Sequence, residues 1–283
     1  MQRIIDDMLI PYRKKHGTGN RILIVDQRVA NLPPPGGEKL RQLGNQASGP
    51  GFDQMMWLSP ADDPSCIARY RVFNADGSEV EQCGNGVRCV ARYLSGHPGA
   101  GQSFSLQSPA GPIAASVFAD GQVAVSMGEP DFEPARIPFI AERMADTYPL
   151  AVNGETFEIS AVSMGNPHAV LQVADVHTAA VSALGPLIEH HERFPALTNV
   201  GFMRVRDRGH IDLRVHERGV GETAACGTGA CAATVSGQRL GLLDEEVSVR
   251  LPGGQVVVSW RGSGTPVWLK GNAELINEGM MDL

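Results

Sequence analysis

The sequence predicts a duplicated α/β unit, each half built from short strands and carrying a helix that starts just after a cysteine. Three observations predict it: strand-like runs punctuated by turn residues, two helix-compatible segments with glycine-rich starts, and motifs that recur at a nearly constant offset. In chain order, Gly19-Asn20 precedes the β-branched run Ile22 to Val25, and Ile67 to Phe73 has the same strand character. Asp76-Gly77 and Asp120-Gly121 lie between such runs and read as tight turns. Gly84 to Leu94 and Gly227 to Leu240 have helix-compatible composition. The second is apolar almost all round, through Ala230, Cys231, Ala232, Ala233 and Val235, so it belongs in a core. The Pro-rich stretch from Glu129-Pro130 to Pro138 reads as a linker or crossing loop between the halves.

The halves repeat one another. Gly165-Asn166 precedes Ala169 to Val173 as Gly19-Asn20 precedes the first run, and Asn199 corresponds to Gln54. Glu79-x-x-x-Cys83-Gly-x-Gly returns as Glu222-x-x-x-Cys226-Gly-x-Gly, 143 residues on. Chance matching of common Gly and Asn is the competing explanation, and four correspondences in order weigh against it. Two pseudo-symmetric domains facing each other across a cleft are the expected result.

A net charge of −7 argues against a general nucleic-acid binder, which would present a basic face. The longest apolar runs, such as Ala230 to Val235, are far too short to cross a bilayer. Charged residues interrupt the N-terminus (Arg3, Asp6, Asp7, Arg13, Lys14, Lys15), which therefore lacks the apolar stretch of a signal peptide. A cytoplasmic protein is expected, with no membrane partner. Five cysteines are too few and odd in number for a disulfide scaffold, and no C-x-x-C pair suggests structural zinc. No metal site is expected.

Two of the thiols have a chemically special place. The first N–H groups of a helix lack internal partners and carry partial positive charge. A cysteine there is expected to have a lowered pKa, and glycines leave the adjacent N–H groups open to a substrate carboxylate. With two such ends opposed, one sulfur as thiolate removes an α-proton and the other as thiol returns one to the opposite face. The enolate-like charge falls on carboxylate oxygens already held by N–H donors. Inversion at the α-carbon follows. A single Cys before Gly-x-Gly is weak evidence, since a cap or buried thiol explains many; the pair is stronger. Cys89 and Cys231 read as packed thiols, and Cys66 has no assigned role.

Other cysteine chemistries fit less well. A cysteine phosphatase needs an arginine six positions after its nucleophile, where this chain has Cys89 and Ala232. A pyridoxal phosphate enzyme needs a Schiff-base lysine, and Lys14, Lys15, Lys39 and Lys270 lack a phosphate-binding context. A Cys–His pair using His168 stays open.

The segment from Phe73 through Cys83-Gly-Asn-Gly-Val-Arg-Cys-Val-Ala-Arg resembles the first active-site segment of the diaminopimelate epimerase family. So do Ser163-Met-Gly-Asn166-Pro-His168, Asn199-Val-Gly-Phe, and Glu217-Arg218-Gly-Val-Gly-Glu-Thr-Ala-Ala-Cys226-Gly-Thr-Gly-Ala-Cys. The resemblance implies cofactor-independent conversion of LL-2,6-diaminopimelate to the meso form, toward lysine and peptidoglycan, in a homodimer. It implies an α+β fold of two pseudo-symmetric domains, each a mixed, mostly antiparallel sheet wrapped around a central helix. The expected boundaries are 1–127, with 272–283 packing back onto it, and 128–271. Carried over by position, Cys83 and Cys226 are the acid/base pair, with His168 and Glu217 supporting catalysis. The backbone at Gly84-Asn85 and Gly227-Thr228 holds the reacting carboxylate. Asn20, Gln54, Asn74, Asn166 and Asn199 read the substrate, joined by Glu217 and Arg218, one charge of each sign.

Plainer readings stand beside these. Any one Asn is a turn former, Asn74 above all; Glu217-Arg218 is a solvated pair; His168 is an ordinary strand-start histidine. His190-His191 reads as surface, because adjacent helical residues diverge. The chain departs from the family at Arg21-Ile22, where Asp-Phe is usual, at Thr228, where Ser is usual, and in a longer leader before His16. The rival functions are a proline or hydroxyproline racemase, which gives no reason for the second charged set, and a non-catalytic amino-acid-binding protein.

Overall fold

The computed structural model describes residues 9–80, 83–97 and 101–283. The leader's first charges, Arg3, Asp6 and Asp7, lie outside the described residues. Two compact units result, one of the chain up to Val125 with Gly271–Leu283, the other of Ser126–Lys270.

The first unit contains β1 (Leu9–Gly17), β2 (Asn20–Asp26), α1 (Gly37–Gly44), β3 (Gln54–Ser59), β4 (Cys66–Asn74), β5 (Glu79–Val80), α2 (Gly84–Leu94), β6 (Ser103–Ser108), β7 (Gly111–Val117) and β8 (Val123–Ser126). The C-terminal strand Glu274–Asp282 pairs antiparallel with β1. From β1 the ladder runs β1, β2, β3, β4, β6, β7, β8; β2–β3 and β4–β6 are parallel and the other pairs antiparallel. The period of two in a strand sends alternate side chains to opposite faces. Leu23, Val25, Met55 and Trp57 thus pack on Leu40 and Leu43 of α1. On the other face Met56 meets α2 so closely that a Cβ at Gly86 would lie 2.6 Å from its Sδ. Gly84 through Ala91 are all buried, so α2 is a core helix. Each large apolar side chain sealed in this way contributes roughly 1.5–3 kcal/mol.

The second unit contains β9 (Tyr148–Val152), β10 (Glu155–Ser163), β11 (Pro167–Gln172), α3 (Val181–Glu189), β12 (Asn199–Asp207), β13 (His210–Glu217), β14 (Gly221–Thr223), α4 (Gly227–Arg239), β15 (Glu246–Leu251), β16 (Gly254–Ser259) and β17 (Trp268–Gly271). Its ladder repeats the first unit's: β10–β11 antiparallel, β11–β12 parallel, β12–β13 antiparallel, β13–β15 parallel, then β15–β16 and β16–β17 antiparallel. Here β9 takes the place that the C-terminal strand has in the first unit. Gly229 to Gly237 of α4 are buried, in keeping with its apolar sequence.

One expectation is corrected. The Pro-rich stretch is no linker: Pro134–Arg136 form a 3-10 turn, and Ile137 and Phe139 enter the second unit's core beside Tyr148 and Phe194. Pro134 supplies the φ that such a turn needs, and the Arg136 and Ile137 N–H groups both donate to the Glu133 carbonyl.

Candidate active site

In the first unit the site is built on three neighbouring strand ends and one helix start. Ile22 is in register with Gln54, and Gln54 with Asn74, so Asn20, Gln54 and Asn74 gather at one edge. Their amides form a directed chain. Asn74 Nδ2 donates to Ser78 Oγ (3.0 Å), Gln54 Nε2 to Asn74 Oδ1 (3.0 Å), and Asn20 Nδ2 to Gln54 Oε1 (3.3 Å). Asn20 Nδ2 also lies 3.9 Å from Cys83 Sγ, as a donor. Asn74 holds the turn as well, its N–H donating to the Ser78 carbonyl, which bears out the plain reading of a turn former. Cys83 is the N-cap of α2: its backbone is extended, and its sulfur accepts the Gly86 N–H at 3.3 Å. Sulfur here does what a Ser or Asp oxygen does at other helix starts.

Two first-unit residues went unread. Arg88 is fully buried in α2 and donates through Nη2 to Thr18 Oγ1 (2.9 Å) and Asn85 Oδ1 (3.0 Å). An arginine within Val87-Arg88-Cys89-Val90-Ala91 is the signal that marks it. Ser78 closes the amide chain. The departure at Arg21 is internally balanced, since its guanidinium pairs with Asp53 at 2.6 Å and its N–H donates to the same carboxylate.

In the second unit Cys226 caps α4 in the same way, with extended backbone and Sγ accepting the Gly229 N–H at 3.3 Å. The Thr228 hydroxyl lies 3.5 Å from this sulfur and 3.5 Å from Asn166 Nδ2. His168 Nε2 bonds Asn166 Oδ1 at 2.9 Å. Burial, with the Arg218 charge adding to it, pulls the His168 pKa down to about 3, so the ring is neutral and Nε2–H is the donor. It holds Asn166 and carries no charge near neutral pH. Asn199 is equally committed: Nδ2 donates to the Pro167 carbonyl (2.9 Å), and Oδ1 accepts the Arg218 N–H (3.0 Å). It ties the start of β11 to the Glu217-Arg218 turn. Arg218 itself is exposed and donates to the Ala196 carbonyl at 3.1 Å.

The electrostatics of Cys226 reverse an expectation. A helix start was expected to lower its pKa, but burial pushes it well above the ordinary thiol value, and the neighbouring Glu217 carboxylate pushes the same way. The Thr228 hydroxyl and Gly229 N–H oppose both and are outweighed. At 5% exposure, desolvation of the charged form exceeds what a helix dipole supplies. Glu217 is also raised, chiefly by burial, although the Thr223 hydroxyl and Cys226 donate to it. Thr223 was another residue missed; its place between Glu222 and the cysteine loop is its only sequence mark. Cys89 and Cys231 are fully buried, and burial pushes Cys89 up to about 12. Among the described residues no group of three or more His, Cys, Asp or Glu side chains is arranged to hold a metal ion.

Each unit thus presents a helix start whose cysteine caps it, bordered by amides from neighbouring strands. The fold is shared with a hydroxyproline epimerase and a phenazine biosynthesis protein of known structure. A hydroxyproline epimerase from Agrobacterium vitis superposes with a TM-score of 0.70 at 17% identity, covering 96% of this chain and 91% of that one. A PhzF-family phenazine biosynthesis protein from Bacillus anthracis superposes at 0.67 and 16% identity, covering 98% and 100%. At these identities the likeness shows the fold alone.

Sequence comparison is more specific. The diaminopimelate epimerase family model matches residues 12–133 and 160–276. The diaminopimelate epimerase of Thioalkalivibrio sulfidiphilus is 50% identical and that of Pseudomonas entomophila 48%, each over 98% of this chain and the relative's full length. The chain belongs to the diaminopimelate epimerase family, and it is an isomerase of lysine biosynthesis.

Proposed function

We propose that the chain epimerises LL-2,6-diaminopimelate to the meso form through Cys83 and Cys226, without a cofactor. The observation that carries this is the likeness of the two helix starts: in each unit a cysteine caps the helix through its sulfur and is followed by Gly-x-Gly. The N–H groups at Gly84-Asn85 and Gly227-Thr228 receive the substrate α-carboxylate, which takes up charge when the α-proton leaves. The side chains support a direction. Amide N–H groups converge on Cys83, which suits a thiolate; a carboxylate borders buried Cys226, which suits a thiol. Cys83 as thiolate takes the α-proton and becomes a thiol. Cys226 gives its proton to the opposite face and becomes a thiolate. Proton exchange with solvent restores the resting pair.

Glu217 accepts from a substrate ammonium and Arg218 holds a carboxylate. Asn20, Gln54, Asn74 and Asn166 read the remaining polar groups. His168 and Asn199 position this set. The test is α-proton exchange in D2O, followed by NMR under reducing conditions, with LL-diaminopimelate and with L-proline. Wild type should deuterate and epimerise only diaminopimelate, and Cys83→Ala and Cys226→Ala should each lose epimerisation by at least about a thousandfold. Full epimerisation by either variant would sink the two-thiol mechanism.

We also infer a homodimer acting in the cytoplasm. Leu9, Leu275, Ile276 and Met280 are 43–59% exposed on β1 and the C-terminal strand, an apolar set of the kind that marks an interface. Five cysteines, too few and odd in number for a disulfide scaffold, suit a reducing compartment. Among the described residues no helix is long and apolar enough to cross a membrane. Sedimentation velocity should give a dimer for wild type and a monomer for Met280→Asp; a monomeric wild type would overturn the assembly.

A further inference from the structure

The dipeptide Glu217-Arg218 sits on the β13–β14 hairpin, where a short turn exposes the arginine. Hairpin turns are mobile unless something pins them. Here Asn199 Oδ1 accepts the Arg218 N–H at the centre of the turn, and one buried carboxylate pins both flanks. Glu189, the last residue of α3, is 4% exposed, and its two oxygens go to the two flanks of the dipeptide. Oε2 lies 2.7 Å from Nε2 of His216, the residue before Glu217. Oε1 accepts the N–H of Gly219, the residue after Arg218, at 2.7 Å. Burial acts to raise the Glu189 pKa, but the Gly219 N–H, the His216 ring and the neighbouring His190 ring, 3.9 Å from Oε2, bring it below the usual carboxylate value, so it is ionised.

A second feature shows that the contact is built in. The His216 ring lies against α3 at Gly185, where a Cβ would come within 2.6 Å of its Cγ. A side chain at that position would push the imidazole away from Glu189. Among the described residues, the corresponding hairpin of the first unit, which carries neutral Asn74, has no such clamp. It is held by Asp76 and Ser78 within the turn and by Arg41 Nη1 donating to the Asp76 carbonyl at 3.3 Å.

We propose that Glu189 is a positioning residue that, through His216 and the Gly219 N–H, sets the conformation in which Glu217 and Arg218 meet the charged groups of the substrate. This rests on the reading of Glu217-Arg218 as substrate contacts. A charged pair that must match a substrate ammonium and carboxylate tolerates little displacement, because bidentate recognition depends on angle as well as distance. A neighbour that fixes both flanks therefore acts on affinity before it acts on the proton-transfer step.

The test compares steady-state kinetics of wild type, Glu189→Gln, Glu189→Asp, Arg218→Lys and the double variant Glu189→Gln/Arg218→Lys, with folding checked by circular dichroism. Glu189→Gln keeps the shape and loses the charge. It should raise KM for diaminopimelate about five- to tenfold while kcat changes by less than about threefold. Glu189→Asp retains the charge and should recover part of the loss. In the Arg218→Lys background, where the positioned group is already altered, Glu189→Gln should add less than about a twofold change in KM. Wild-type KM in folded Glu189→Gln would overturn the proposal. So would an equal factor in both backgrounds, which marks a general structural role. A normal KM for Arg218→Lys overturns the substrate-contact reading instead, and thereby separates the two.

Discussion

The start of α2 in the first unit and the start of α4 in the second are the same backbone device in two different settings. Both helices begin after an extended cysteine whose sulfur accepts the N–H three residues on, at 3.3 Å in each case. Both are reached through a hairpin locked by a bidentate ion pair, Arg71–Glu79 in one and Arg214–Glu222 in the other, 143 residues apart. Around the sulfurs the likeness ends. Cys83 is partly exposed and faces a neutral amide, whereas Cys226 is buried beside Glu217 and a threonine hydroxyl. Behind α2 stands the buried Arg88, and its counterpart in α4 is Cys231. The comparison teaches that four local residues suffice to present a thiol on a helix end, while the proton affinity of that thiol is set by side chains brought from elsewhere.

The largest test of this asymmetry is Glu217→Gln. Removing a negative charge beside Cys226 lowers the cost of the thiolate, so its pKa should fall. The pH midpoint for alkylation by iodoacetamide, followed at each cysteine by mass spectrometry, should move down at Cys226 and stay unchanged at Cys83. Epimerisation should drop about a hundredfold, the typical size of losing one positioned polar group. An unmoved Cys226 midpoint would break the comparison.

A smaller effect should come from His168, whose register equivalent in the first unit is the apolar Ile22. Its folded pKa of about 3 lies below the ordinary imidazole value, so on acidification the unfolded chain takes up the proton first. The stability due to the neutral ring is complete above about pH 6.5 and is lost as pH falls toward 3, by at most about 1.4 kcal/mol per pH unit. Urea unfolding between pH 7 and pH 4 should therefore show a shallower decline for His168→Gln than for wild type. Equal slopes would show that the ring is free to charge in the fold.

The smallest effect concerns the two ion pairs. Arg71→Lys should lower the melting temperature by about 1 °C, as expected of a half-exposed pair. Arg214→Lys should cost about 2–3 °C, because Arg214 Nη1 also donates to the carbonyls of Val176 (2.7 Å) and Ala179 (3.3 Å). Equal shifts in a thermal melt would mean that those extra bonds contribute nothing.

Much of this fold was legible because its signals are short-range. Turn residues at Asp76-Gly77 and Asp120-Gly121, β-branched runs, and glycines after each cysteine report on their own surroundings. The strand-by-strand repetition then appears in the ladders, where His168 pairs with Asn199 as Ile22 pairs with Gln54. What escaped was decided at a distance. Prolines between Glu129 and Pro138 look like a linker until Ile137 and Phe139 are seen inside the second unit's core. Thr223 gains its role only when β13 and β14 pair and bring it to Glu217. Glu189 sits in an unremarkable Leu-Ile-Glu-His run, and nothing near it in sequence announces His216.

By itself the sequence determined the duplicated plan, the helix starts, the family and the two thiols that cap those starts. These follow from residue types acting within a few positions of one another, where backbone sterics and unsatisfied N–H groups allow few outcomes. The tertiary structure alone decided which thiol is buried, which carboxylate lies beside it, and that His168 is neutral. Those properties come from desolvation and from charges held within a few ångströms by residues far apart in the chain, and such distances exist only after the chain has folded.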